Sequence, residues 1–270
     1  MSIRQFRPKR NMRRGISTQQ RFWINSFFII LLGFQMAYPL VDGRLLTQVT
    51  IVTVIVGACY VYIDALINFG GRYANLLALI TLIFSFGIEA IGQATSWPFG
   101  SYEYSKTLGF SILSVPIVVP LAWLMMSYPV FLVSRKSTNH WVFLFGGYGL
   151  MTWDLFLDPQ MVSAERWVWT FDGAHVPFQN EIPLSNAVGW LLSGMALMAL
   201  LNVALPKERR KKHDRTKHVE IFLLWTLFSG VIGNIFFFNK PGVALIGGLA
   251  FTIFLAPYFY KLFIGNPESN

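Results

Sequence analysis

"WINSFFIILLGFQMAYPLV", residues Trp23 to Val41, is the stretch on which the fold turns. It carries no acidic or basic side chain and follows a basic leader, as the apolar core of a secretory signal would. It is longer than the about 7–15 residues of such a core, and no clean small-x-small cleavage site follows. It therefore reads as a retained membrane helix. Charge-poor apolar runs of roughly 20 residues recur along the rest of the chain. With 54% hydrophobic residues, 13% charged and a mean hydropathy of +0.49, these runs exceed what a soluble core of 270 residues would bury.

The expected fold is an all-α, polytopic transmembrane bundle of about eight helices: 23–41, 46–68, 74–92, 111–134, 141–157, 184–205, 219–239 and 242–264. Pro116 and Pro120 are expected to kink the fourth, and Pro159 to end the fifth. Residues 1–22 read as a basic cytoplasmic leader, 23–264 as one transmembrane domain and 265–270 as a C-terminal tail.

An even number of spans with the N-terminus cytoplasmic puts 18 of the 22 Lys and Arg on the inner side. Only Arg44, Lys106, Arg166 and Lys240 fall outside. Such a split is the positive-inside signature of a multi-pass protein of the cell membrane, so the net charge of +9 reports topology and membrane lipids rather than nucleic acid. Cys59 is the single cysteine and excludes an intrachain disulfide or a cysteine-based metal centre. No metal site is expected.

The acids lean the other way. Asp64, Glu89 and Asp154 stand inside apolar runs, where each costs about 2.5–3.5 kcal/mol at a helix centre. Asp64 falls near the inner end of its helix. Glu89 and Asp154 fall near outer ends. In "TWDLFLDPQMV" (Thr152 to Val162) Asp154 and Asp158 share one helix face, with Cβ atoms about 6 Å apart. Trp97, Trp153, Trp167, Trp169 and Trp190 lie at the same level, which suits an aromatic belt as well as a site. Lys106 and Arg166 read as partners of neighbouring acids.

Carboxyls among aromatic faces at an apolar level suit chemistry on a hydrocarbon. A buried carboxyl kept protonated serves as general acid, an ionised neighbour orients water, and indole or phenol faces stabilise a cation. Those parts permit addition of water to an alkene without singling it out. An intramembrane prenyltransferase and a proton-coupled lipid or carotenoid transporter use similar acids.

"EAIGQATSWPFGSYEYS" (Glu89 to Ser105), then "VPIVVPLAWLMM" (Val115 to Met126), "TWDLFLDPQMV" and "IPLSN" with Gly189 and Trp190, resemble the membrane carotenoid biosynthesis proteins. Within them the likeness is to CruF-type hydratases, the gamma-carotene 1'-hydratase and bisanhydrobacterioruberin hydratase group. It spans residues from about 70 to 205. The resemblance implies hydration of the terminal double bond of a carotenoid ψ-end to a tertiary alcohol, with no cofactor. A pathway neighbour such as a glycosyltransferase would use that product. It marks the positions of Glu89, Trp97, Gly100, Tyr102, Tyr104, Trp153, Asp154, Asp158, Pro159, Trp167, Trp169, Pro183, Asn186 and Trp190. Their roles are inferred from side-chain chemistry: Glu89, Asp154 and Asp158 as catalytic, and Trp97, Tyr102, Tyr104, Trp153, Trp167, Trp169, Asn186 and Trp190 as substrate-binding. The proton donor is left open between Asp154 and Glu89. Asp158 is taken as the base or the orienter of water. Trp153, Tyr102, Trp97 and Trp169 are expected to line the cation.

Overall fold

The computed structural model describes residues 16–206 and 217–264. Most of the expected basic leader, the basic stretch 207–216 and the tail 265–270 lie outside the described residues. Eight α-helices carry the described chain: α1 (Thr18–Ala37), α2 (Gly43–Phe69), α3 (Gly71–Thr95), α4 (Val118–Ser137), α5 (Val142–Ser163), α6 (Leu184–Ala204), α7 (Lys217–Phe236) and α8 (Pro241–Ile264). The protein is an all-α, multi-pass membrane bundle.

Local chemistry sets several helix ends. Ser17 and Gln20 form a capping box at the start of α1, each side chain accepting from the other's backbone N–H at 3.2 and 2.9 Å. Gly70, at φ 93, makes the break between α2 and α3. Arg135 forks onto carbonyls in the last turn of α6 and just past its end, reaching Asn202 O at 3.0 Å, Leu205 O at 3.1 Å and Pro206 O at 3.1 Å. Arg21, Arg72, Arg135, Lys136, Lys217 and Lys261 share one end of the bundle. Arg44, Lys106, Arg166 and Lys240 mark the other, called outer below.

Seven of the helices are long and apolar enough to cross a membrane. The exception is α5, diluted by three glycines, two aspartates and Pro159. Its 22 residues still give about 33 Å of length. It is shielded by α4, α6 and α8, and packs most extensively on α6. α4 is the most buried of the seven and touches α2, α3, α5 and α8.

Two expectations about prolines are corrected. The fourth helix starts at Val118, because residues 111–116 form a hairpin of β2 (Ser111–Ile112) and β3 (Val115–Pro116) closed by Leu113 and Ser114 at positive φ. Pro120 then sits in the first turn of α4, where its missing N–H is harmless, and the interior proline is Pro129. The fifth helix does not end at Pro159 but runs through it to Ser163.

The outer loops form two further antiparallel ribbons. β1 (Tyr102–Tyr104) pairs with β4 (Trp167–Trp169), and β5 (His175–Val176) pairs with β6 (Gln179–Pro183).

Glycine lets α5 and α6 approach closely. A Cβ on Gly147 would stand 2.7 Å from Met195 N and 2.9 Å from Leu191 O, both backbone atoms that cannot step aside. Gly147→Ala is therefore expected to destabilise the bundle by about 1–3 kcal/mol, whereas Gly33→Ala, which meets nothing within 4 Å, is tolerated. Thermal unfolding in detergent checks this; equal melting of the two variants would show that the α5–α6 contact is looser than described.

Candidate active site

Glu89 lies on the inward face of α3, only 3% exposed, and is held by three donors. Tyr102 Oη and Tyr104 Oη donate to its Oε2 at 2.5 and 2.8 Å, and Trp123 Nε1 donates to Oε1 at 2.9 Å. The two tyrosines converge because residues two apart on a strand share a face. The register pairs Tyr102 with Trp169 and Tyr104 with Trp167, so four aromatic side chains face inward while Glu103 and Val168 face out. Burial, with the Glu89 carboxylate beside them, pushes the phenols of Tyr102 and Tyr104 above the ordinary phenol range. Both stay protonated and keep donating.

Asp154 and Asp158, 2% and 3% exposed, stand one turn apart on α5. The Asn186 amide, in the first turn of α6, donates to Asp154 Oδ2 at 3.0 Å and to Asp158 Oδ2. The two carboxyls adjoin each other, an arrangement that one shared proton stabilises. Glu89, Asp158 and Asn186 meet at a cavity of about 50 Å³ whose other walls include Tyr102, Tyr104, Trp123, Trp167, Trp169 and Trp190. Asp154 is not on its wall and sits behind Asp158. Trp123 and Trp190 stack at 4.2 Å with planes 12° apart, an extended π-face along one side.

Two residues expected at the substrate are elsewhere. Trp97 is 59% exposed at the outer end of α3. Trp153 turns to α7 and α8, packing on Phe222 at 5.5 Å and Phe251 at 6.0 Å. Neither is on the cavity wall. Among the described residues Arg166 does not pair with an acid either; it is buried and bonds Thr107 Oγ1 at 3.3 Å. Lys240 does meet one, Glu181, at 3.8 Å. Asp64 takes a hydrogen bond from Tyr128 Oη at 2.5 Å, away from this cavity.

Trp123 was not singled out from the sequence. Its signal is an indole inside an apolar span, where the N–H needs an acceptor. Gln179 was missed too. Pro159 has no N–H to give Leu155 O, its partner one turn back, and Gln179 Nε2 from β6 supplies that bond at 3.0 Å. Lys240 Nζ reaches Pro159 O at 3.2 Å and Ser163 Oγ at 2.6 Å, fixing the same end.

The carotenoid biosynthesis protein profile matches residues 49–259, more than half of the chain and all of the site. The chain belongs to the carotenoid biosynthesis protein family. A relative from Haloarcula japonica, bisanhydrobacterioruberin hydratase, is 26% identical over 224 residues, covering 80% of this chain and 67% of that protein. No solved structure matches.

Gln179→Leu leaves the Leu155 carbonyl without a donor, at a cost of about 1–3 kcal/mol. Thermal melting of the purified variant is expected to fall accordingly; unchanged melting would mean that Leu155 O finds another donor and that Gln179 does not brace this end of α5.

Proposed function

We propose that the protein is a carotenoid hydratase of the cell membrane, adding water across the terminal 1,2 double bond of an acyclic ψ-end to give a tertiary alcohol. The observation carrying this reading is the meeting of Glu89, Asp158 and Asn186 with stacked indoles at one cavity. The hydratase name of the Haloarcula japonica relative supports it.

The geometry supports the following roles. Glu89, accepting three hydrogen bonds, is arranged as an ionised carboxylate and serves as counter-charge to a cation. The proton shared by Asp154 and Asp158 passes from the Asp158 side to the less substituted alkene carbon. A C–H bond forms, the carboxyl O–H breaks, and a tertiary cation remains. Trp123, Trp190 and Trp169 face that charge with their π-systems. Water forms the C–O bond and loses a proton to Asp158, which restores the shared proton. No oxidant or reductant enters the balance. Asn186 keeps the two aspartates together throughout.

Expression in a host that makes an acyclic or monocyclic carotenoid is expected to yield pigment heavier by one water. Unchanged pigment beside stably inserted protein would defeat the hydratase reading. In the same host, Asp154→Asn and Glu89→Gln are expected to lower hydration by about 100-fold or more, since acid–base groups contribute on the order of 10²–10⁴. Glu103→Gln, on the outward face of the ribbon, is expected to stay within about threefold. If the three variants hydrate equally well, these carboxyls are not the catalysts.

A further inference from the structure

A second cavity, of about 840 Å³, lies on the outer side of the β1–β4 ribbon. Polar side chains line it, among them Glu103, Glu165, Glu181 and Asn180. It shares three residues with the carboxyl cavity: Tyr104, Trp167 and Trp169. One layer of aromatic side chains thus separates a broad basin of mixed polar and apolar lining from the buried acids.

We propose that the outer basin is the water inlet of the carboxyl cavity, and that Trp167 receives the entering water and holds it against Asp158. The use made of that water rests on the hydratase reading. Hydration needs two reactants of opposite solubility at one carbon. The polyene end arrives from lipid, so water needs its own polar route. A water molecule inside a protein is stable where two to four polar groups hold it. The partition offers them. The Trp167 indole N–H is buried beside the Asp158 carboxyl and has no partner in good hydrogen-bond geometry. Tyr104, on the same wall, places a hydroxyl beside Glu89 at 2.8 Å. The remaining wall, from Phe99, Val119, Ala122, Met126 and Leu157, is apolar and gives water no foothold.

Accessibility tests this without any carotenoid. In the full-length protein with Cys59→Ser, Ala122→Cys puts a thiol on the inner cavity wall. Silver ions are applied to one side of oriented membranes, and surviving thiol is counted by maleimide labelling after denaturation. Reaction is expected from the outer side, at least tenfold faster when Trp167→Ala opens the partition. Because that variant risks misfolding, Asn180→Trp, at an exposed position, is added to narrow the basin; it is expected to slow the reaction at least threefold. Equal rates in all three backgrounds, or faster reaction from the inner side, would overturn the inlet. Loss of hydration in cells with this accessibility pattern intact would instead count against the hydratase reading.

Discussion

Three carboxyl groups buried at one level of an apolar bundle are the constraint around which the outer half is organised. None can stay there unless other donors replace the water it has lost. Glu89 takes its donors from two different places, the β1 strand and the second turn of α4. Asp154 and Asp158 take theirs from α6. Satisfying these acids therefore ties α3, α4, α5, α6 and an outer ribbon to one another. Compensation of charge and assembly of the site are the same set of bonds.

α5 shows how the rest of the bundle serves that arrangement. It is the one helix of the eight that is not among those long and apolar enough to cross a membrane, and it carries two of the acids. Its neighbours supply what its sequence lacks. α6 closes against it through Gly147 and Gly194, Gln179 donates to the carbonyl that Pro159 leaves open, and Lys240 bonds the carbonyl of Pro159 itself. A helix poorly suited to lipid is kept out of lipid, and the same packing makes its acids rigid.

Helix number and the shared level of the acids were legible in the sequence, because hydropathy and charge are read along one dimension. Asp154 and Asp158 were placed on one face by helical spacing alone, and they do share a donor. Directions around a helix were harder to read. α5 is apolar on nearly all sides, so nothing local says that Trp153 turns to α7 and α8 while Asp154 turns to α6. The end expected at Pro159 rested on a sound local rule, the missing N–H, but the replacement donor is twenty residues away on another element. Trp97 shows the reverse: an indole at the right level points to solvent or lipid, as an aromatic belt would.

The β1–β4 ribbon has a consequence for how the chain tolerates length changes. Its strands have three residues each, alternating between the acids and the outside. A slip of one position in either strand would carry all of that strand's inward rings outward and bring Glu103 or Val168 in. The loops between the helices and this ribbon therefore differ in kind from ordinary surface connections. Additions that leave the pairing in place change only the rim, while a single residue gained or lost within the pairing exchanges an aromatic wall for a polar or aliphatic one. The ribbon makes the chemistry of the cavity depend on odd versus even counting of residues along two short loop strands.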